Sequence, residues 1–381
     1  MRIGIRTGGL IAMSAVLELP GKVIEGAGSL EDLPRLLKER GLHRIGVIAD
    51  PFVAQTEYAQ KVLLEVEETG IKCSIYTGVK AEPSFSDLRK LYQETDLTKG
   101  DGIVAIGGGS VIDTSKLLCA MAANPEFAEN LEQPQLISRR GIPLIAAPTT
   151  AGTGAEATPN AILFQEEQCR KVGIVSRKMI ADTVILDAML TESMPSMLAA
   201  CTGFDALAHA MESFTSRKAV AYSDMFAVEA MRLIFENIIP ACREKDVHAR
   251  QKMLLASFYA GVCLVTSSTH IVHAMAYPLA ERFHVAHGKG IASLLTAGMR
   301  SIDNARRTEI EYRCLAKSPL YETMEEIADI LGIERKLGSF GVREEDCPDM
   351  ARAAMENKRL FANCPGEPDL TQVTNIYRSL L

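Results

Sequence analysis

Five short apolar runs in the first half of the sequence limit the folds that this 381-residue chain can adopt. They cover residues 43–50, 72–78, 102–109, 143–150 and 182–187. Apolar runs of this length are typical of strands that are buried on both faces of a parallel sheet. The segments between them have helical patterns, and helices supply the crossovers that parallel strands require. The alternation predicts a doubly wound α/β unit with a mostly parallel sheet.

The pattern changes to long amphipathic helices after about residue 191. A chain of this length exceeds what one hydrophobic core usually serves. We therefore expect two domains, an α/β domain at residues 1–190 and an all-helical domain at residues 191–381. Residues 16–30 predict a strand, a turn and a second strand, with Ser29 as the N-cap of a following helix. The segments 161–165 and 170–176 predict an additional hairpin.

Composition narrows the classes of partner and location. The formal net charge is −7, which argues against a nucleic-acid or anionic-membrane surface. No apolar run is long enough to span a bilayer, and the first residues lack the features of a signal peptide. Met13 offers an alternative start, which would make residues 1–12 a dispensable extension. The nine cysteines form no C-x-x-C pair, so we expect reduced thiols and a cytoplasmic protein.

Histidines are concentrated in residues 266–290. This stretch holds four of the seven, namely His270, His273, His284 and His287. A fifth, His209, follows Asp205 by four residues, so that the two side chains share one helix face. Imidazoles grouped with a carboxylate suit a divalent cation such as Fe²⁺ or Zn²⁺. The alternative is that they are ordinary core or surface histidines.

Two glycine-rich turns follow neighbouring predicted strands. Gly107, Gly108, Gly109 and Ser110 end one strand and open a helix, whose free N–H groups suit a pyrophosphate. The spacing is neither G-x-G-x-x-G nor a Walker loop, and a plain tight turn is the alternative. The second turn, at residues 148–154, follows the next strand. Both turns lie at the carboxyl edge of the sheet, where open α/β sheets bind ligands.

Asp50 ends an earlier strand at the same edge. Its carboxylate is placed to accept hydrogen bonds from a ribose, and its charge would repel a 2′-phosphate, so NAD(H) is favoured over NADP(H). A helix N-cap before Pro51 is an alternative role that is compatible with the first.

Several longer motifs together resemble the iron-containing (group III) alcohol dehydrogenase family, in the dehydroquinate synthase-like superfamily. The opening LPGKVIEGAGSLEDLP and the loop AEPSFSDL are similar to the family's. GGGSVIDTSK and PTTAGTGAEAT resemble its cofactor signatures. FDALAHAMESFTS and HAMAYPLAERFHVAHG resemble its metal-site signatures. The resemblance spans almost the whole chain and implies a dinucleotide-binding α/β domain followed by a helical metal-binding domain.

The same resemblance implies a set of site residues. The implied metal ligands are Asp205, His209, His273 and His287. The implied cofactor contacts are Gly108, Gly109, Ser110 and Asp113 near the phosphates, with Thr149, Thr150 and Thr153 on the adenosine or nicotinamide side. Lys171, in the second strand of the predicted hairpin, is added to these cofactor-binding candidates.

Departures from the family pattern are confined to the helix expected to line the substrate pocket. The family's H-A-M-A-H is here His273-Ala-Met-Ala-Tyr277, and His270 stands where Gly is common. Their i, i+3, i+7 spacing predicts a shared helix face. We expect Tyr277 or His270 to relay the proton, with the cofactor ribose as a third route. The alternative for Tyr277 is a pocket-wall residue with no proton role. Leu264, Thr266 and Ser268 also replace family residues, which indicates a more polar substrate than a simple alkanol.

These observations predict a metal-dependent oxidoreductase that transfers hydride between NAD(H) and a small alcohol or aldehyde. The alternatives are a Zn²⁺-dependent polyol dehydrogenase of the glycerol type, a dehydroquinate-synthase-like lyase, and a non-catalytic nucleotide or metal sensor. Relatives of this kind are often oligomers, so we expect a homodimer or a larger homo-oligomer by analogy.

Overall fold

Six parallel strands form the central sheet of this computed structural model, which describes residues 16–95, 100–167, 170–302 and 306–381. The sheet order is β1-β8-β5-β4-β2-β3, and a separate antiparallel hairpin pairs β6 with β7. The strands are β1 (Lys22–Glu25), β2 (Arg44–Ala49), β3 (Lys72–Tyr76), β4 (Gly102–Gly107), β5 (Leu144–Pro148), β6 (Asn160–Gln165), β7 (Arg170–Val175) and β8 (Thr183–Leu186). The predicted parallel sheet is thus confirmed.

Helices connect the strands and make up most of the chain after the sheet. Those of the first half are α1 (Leu33–Glu39), α2 (Glu57–Glu68), α3 (Phe85–Glu94), α4 (Gly109–Ala123) and α5 (Pro125–Glu129). Those of the second half are α6 (Ser196–Thr215), α7 (Ala221–Ile239), α8 (Val247–Ser267), α9 (Ile271–Phe283), α10 (His287–Ser301), α11 (Arg307–Cys314), α12 (Leu320–Leu331), α13 (Cys347–Met355), α14 (Lys358–Phe361) and α15 (Leu370–Ser379). The exact domain division at residues 190 and 191 stays a prediction.

The sheet is covered on both faces, as its unbroken apolar strands require. Along β4, Ile103 and Ala105 point into one core, and Val104 and Ile106 point into the other. The second core is closed by α1 and α2. The first continues past α3 and α4 into the helical half, where it includes Phe204 of α6. One packed interior therefore fixes the helices that carry the histidines against the sheet edge that carries the glycine turns.

Helix α8 ends in a sharp break before α9. The two helices meet at an angle of 104°. Within the described ranges, no single helix combines the length and hydropathy needed to cross a bilayer, although this bent pair would if taken together.

The chain start differs from its prediction. Residues 16–20 form no strand, and β1 is the one strand described before α1. Ser29 lies inside a 3₁₀ turn and is not a helix N-cap. The side chain of Asp187, which follows the neighbouring strand β8, caps this turn instead. Its carboxylate accepts hydrogen bonds from the N–H groups of Gly28 and Leu30, each at 2.8 Å. The predicted extension at residues 1–12 lies outside the described residues. The eight described cysteines are free thiols.

The turn after β5 touches α8 backbone to backbone. A Cβ atom at Gly261 would lie 2.5 Å from the carbonyl oxygen of Gly154, and one at Gly154 would lie 2.5 Å from the Cα of Gly261. Gly154 also has φ +58°, a conformation that glycine adopts without strain. The absence of two side chains therefore permits the close approach of the cofactor-side turn to the helical half.

We expect Gly261→Ala to destabilise the protein by about 1–3 kcal/mol, because the added methyl group forces two backbones apart. Chemical denaturation followed by circular dichroism would measure the change in midpoint. Gly338→Ala is the matched control, since a Cβ added at Gly338 would meet no atom within 4 Å. An equal effect of both substitutions would contradict the packing argument.

Candidate metal and cofactor site

A cavity of about 280 Å³ lies between the carboxyl edge of the sheet and the helical half. From the α/β half it is lined by residues of α4, of the turn after β5 and of the hairpin. From the helical half it is lined by Asp205, His209, Leu264, Ser268, Thr269, His273, Tyr277, His287 and Arg359. The two groups of predicted site residues thus face one another across a single space.

Three helices bring the predicted metal ligands together. Helix α6 carries Asp205 and His209, α9 carries His273, and α10 begins at His287. The Nε2 atoms of His209, His273 and His287 lie 3.7, 3.5 and 3.8 Å from Asp205 Oδ1. Ligand atoms of Asp205, His273 and His287 all lie within 4.8 Å of one another. A central cation is thus within reach of one carboxylate and three imidazoles.

Unpartnered buried atoms support a cation at this position. Asp205 Oδ1 and His273 Nε2 are buried and have no hydrogen-bond partner in the described part of the chain. A buried polar atom without a partner is costly, and a metal ion removes that cost. His209 Nδ1 lies 3.2 Å from the carbonyl oxygen of Gly152, which suits an N–H on Nδ1 and leaves Nε2 as a ligand. The residues present therefore fit a divalent metal ion.

A second carboxylate, that of Glu212, orients His273 from behind. Glu212 lies on α6 and is fully buried. Its Oε2 accepts a short hydrogen bond from His273 Nδ1, and its Oε1 accepts the N–H groups of His270 and Val272 at 3.1 and 2.7 Å. This bond fixes the tautomer that exposes His273 Nε2 to the cavity.

The two carboxylates make the site favourable for positive charge. Burial lowers the pKa of His273, but the charges of Glu212 and Asp205 raise it to about 9. For Asp205 burial acts in the opposite direction and raises the pKa of the carboxyl. The neighbouring imidazoles lower it by more, so that the pKa of Asp205 is well below its ordinary value. The carboxylate of Asp205 is therefore ionised and available to a cation.

The two residues predicted for proton relay lie in different environments. Tyr277 lines the cavity, and burial raises the pKa of its hydroxyl. His270 is fully buried and does not line the cavity. Its Nδ1 accepts the N–H of Ile271 at 2.8 Å, and its Nε2 lies 2.9 Å from Thr215 Oγ1. Both ring nitrogens of His270 are thus occupied by protein atoms, whereas Tyr277 faces the cavity.

His270 is turned away because it precedes the helix. It is the N-cap of α9, with φ −144° and ψ −111°. The prediction that His270 shares a helix face with His273 and Tyr277 requires residue 270 to be helical. That prediction is wrong, because α9 begins at Ile271.

The two glycine-rich turns lie against each other. Gly108 is the N-cap of α4 and has no side chain to satisfy the helix N–H groups. A Cβ at Gly109 would lie 3.0 Å from Thr153 Cγ2, and one at Gly108 would lie 3.3 Å from Thr150 Oγ1. The bare helix N-terminus beside these hydroxyl groups is suited to a phosphate group.

Some of the remaining candidates line the cavity and others do not, the latter being Asp50, Gly107, Gly108, Thr149 and Thr150. Gly109, Ser110, Asp113, Thr153 and Lys171 line the cavity. Gly107 ends β4 and accepts the N–H of Thr149 at 3.1 Å, and Thr149 itself is buried behind the turn. Asp50 follows β2, where its Oδ1 accepts the N–H groups of Phe52 and Val53.

Three contributors to the site were not predicted from the sequence. Glu212 carries a detectable signal, because it follows Asp205 by seven residues on the same helix face. The carbonyl of Gly152 and the side chain of Arg359 carry none, because both reach the site through tertiary packing. His284, by contrast, lies outside the cavity lining.

Comparisons with known proteins agree with this geometry. A family model described as "Iron-containing alcohol dehydrogenase" matches residues 20–188, and one described as "Fe-containing alcohol dehydrogenase family, C-terminal" matches residues 199–381. Long-chain-alcohol dehydrogenase 1 of Geobacillus thermodenitrificans is 33% identical over 363 residues, covering 89% of this chain and 90% of that protein. Lactaldehyde reductase of Escherichia coli K12 is 31% identical over 371 residues, covering 93% and 96%.

Solved structures give the same result. An iron-containing alcohol dehydrogenase from Thermotoga maritima superposes with a TM-score of 0.84 at 29% identity, and the match covers 97% of this chain and 99% of that one. The dehydroquinate synthase-like fold expected from the sequence is confirmed.

We expect His287→Ala to weaken binding of Zn²⁺ or Fe²⁺ by more than the roughly 10–100-fold typical of outer-shell partners, since it removes a direct ligand. Elemental analysis and chelator competition would measure the loss. His284→Asn is the control, because His284 has φ +53°, which asparagine tolerates. Retention of metal with unchanged affinity in His287→Ala would contradict the assigned ligand set.

We expect Glu212→Gln to weaken metal binding by roughly 10–100-fold, because the amide cannot hold the His273 ring as an ionised carboxylate does. The same chelator competition measures this change. Circular dichroism of the metal-free protein would test whether the fold is kept. A metal affinity equal to that of the wild type would exclude the orienting role.

Proposed function

Since this chain belongs to the iron-containing alcohol dehydrogenase family, we propose that it transfers hydride between NAD(H) and a small alcohol or aldehyde at a divalent-metal centre. The observation that carries the proposal is the arrangement of the cavity. A cluster of one carboxylate and three imidazoles faces the bare N-terminus of α4 and the side chain of Thr153 across a cavity of about 280 Å³.

The chain's own residues supply binding and orientation. Asp205, His209, His273 and His287 would hold the cation, which when bound supplies Lewis-acid polarisation of the substrate oxygen. The N–H groups at the start of α4 would hold the coenzyme phosphates. Thr153 and Ser110, which line the same cavity, would orient the coenzyme, which when bound supplies or accepts the hydride.

Proton movement at the cavity is assigned to Tyr277. Its hydroxyl is the phenolic group on the cavity wall next to the histidines. Its raised pKa keeps it protonated at neutral pH, so it can donate a hydrogen bond to the substrate oxygen or to a water that leads out of the cavity. In the alternative, Tyr277 is a wall of the cavity and contributes only the shape of its side chain.

The choice of NAD(H) over NADP(H) rests on Asp50. Its carboxylate lies at the carboxyl end of β2, and both of its hydrogen bonds to the backbone use Oδ1. The negative charge of this carboxylate repels a 2′-phosphate. Its remaining hydrogen-bond acceptor positions suit the hydroxyl groups of a ribose.

The substrate class follows from what relatives act on by name. One relative is named for long-chain alcohols and another for lactaldehyde. Both names describe the interconversion of an alcohol and an aldehyde. The ligand set is compatible with Fe²⁺ and with Zn²⁺. The homo-oligomeric state and the cytoplasmic location stay predictions.

We expect the metal-loaded protein to oxidise NADH when an aldehyde is added and to form NADH from the matching alcohol. NADPH should give a kcat/KM roughly tenfold or more lower, because Asp50 repels its extra phosphate. Asp50→Ser should narrow this ratio, whereas Glu68→Gln, which removes an exposed carboxylate at the far end of α2, should leave it unchanged. NADH absorbance measures all three.

Failure of every alcohol and aldehyde tested, with metal and coenzyme both bound, would contradict the proposed activity. Equal use of NADH and NADPH by the wild type would contradict only the assignment to Asp50.

A further inference from the structure

Arg359 lies at the mouth of the same cavity as the metal cluster. It belongs to α14, and its side chain lines the cavity beside Tyr277 and Ser268. Its Nη1 donates a hydrogen bond to Ser268 Oγ at 3.3 Å. Arg359 is exposed to solvent as well as to the cavity, so its guanidinium is free to meet a ligand that enters.

The other charges of the cavity are compensated. Lys171 pairs with Glu82 at 2.6 Å. The lining carboxylate of Asp113 pairs at 3.3 Å with Lys116, a buried lysine that does not line the cavity. Asp205 is committed to the histidines and their cation. Within the described ranges, Arg359 has no carboxylate within 4.0 Å. It is therefore the cavity cation that lacks an anionic partner in the protein.

The segment that carries Arg359 is fixed against the break between α8 and α9. Asn363 Nδ2 donates to the carbonyl oxygen of Thr269 at 3.2 Å, and the backbone carbonyl of Asn363 accepts the N–H of Arg217 at 3.0 Å. Ser268 has φ +61° and ψ +170°, a region that is essentially restricted to glycine. Ser268 therefore carries backbone strain, and in this conformation its hydroxyl group faces the Arg359 guanidinium.

Arg359, Tyr277 and the residues of the metal cluster line one cavity of about 280 Å³. A small molecule that fills this cavity therefore meets the cluster and the guanidinium together.

From this arrangement we infer that Arg359, supported by Ser268, binds an anionic group at the end of the substrate opposite the reacting carbon. The inference rests on the proposed alcohol–aldehyde activity and names its substrate class, a short aldehyde or alcohol that bears a carboxylate, sulfonate or phosphonate. A planar guanidinium binds such groups through two parallel N–H···O bonds, which an ammonium group cannot reproduce.

The test compares aldehydes of matched length, one neutral and one anionic. Butanal and succinic semialdehyde form the first pair, and the sulfonate and phosphonate analogues extend the anionic side. With the wild type we expect kcat/KM for at least one anionic aldehyde to exceed that for butanal by on the order of 10–100-fold, carried mostly by KM. The ranking among the three anions identifies the group that is bound.

Arg359→Gln should remove this preference while leaving butanal turnover within about twofold, because no reacting atom is touched. Arg359→Lys should keep only part of the preference for anionic aldehydes, because an ammonium group cannot form the two parallel bonds. Lys358→Gln is the matched control, since Lys358 is the adjacent exposed cation on α14 but does not line the cavity. It should retain the full preference.

Equal kcat/KM for neutral and anionic aldehydes in the wild type would overturn the inference. So would an Arg359→Gln variant that keeps the preference, or one whose defect is in the KM for NADH and so reports a coenzyme contact. These outcomes all leave butanal reduction intact. Loss of the proposed function itself would instead appear as no turnover of any aldehyde, neutral or anionic, by the metal-loaded wild type.

Discussion

Two carboxylates, those of Asp205 and Glu212, are buried seven residues apart on helix α6. Burying charge is costly unless partners are supplied, and here two other helices supply most of them. From α9, His273 lies between the two carboxylates and the N-terminal N–H groups bind Glu212. His287 of α10 and His209 of α6 itself approach Asp205. The relative positions of α6, α9 and α10 are thus coupled to the need to compensate these anions, and a divalent cation would complete that compensation.

The α/β half takes part in the same arrangement through the turn after β5. Gly152 gives its carbonyl oxygen to His209, Thr153 lies against the N-terminus of α4, and Gly154 touches α8. One heptapeptide therefore joins the coenzyme side, the metal side and the helical scaffold. These contacts keep the proposed coenzyme and metal positions in a fixed relation across two halves of different architecture.

Much of this was accessible from the sequence, for identifiable reasons. Buried parallel strands leave apolar runs that cannot be mistaken for surface helices, and the sheet followed from them. The four metal ligands lie in long motifs with fixed spacing. The position of His270 was not accessible, because helical periodicity holds only inside a helix and α9 begins one residue later. Arg359 follows His287 by more than seventy residues, and nothing local in the sequence marks its contact with the cavity.

The contacts of residues 148–154 also set where this protein can tolerate change. A methyl group at Gly152 would meet Thr202 Cβ at 2.7 Å, and one at Gly154 would meet the backbone of α8. Alternate residues of the turn are thus constrained by different neighbours, so that no single compensating substitution can relieve them all. Variation acquired over evolution or introduced by design has room instead at positions such as Gly338, where an added Cβ atom would meet nothing within 4 Å.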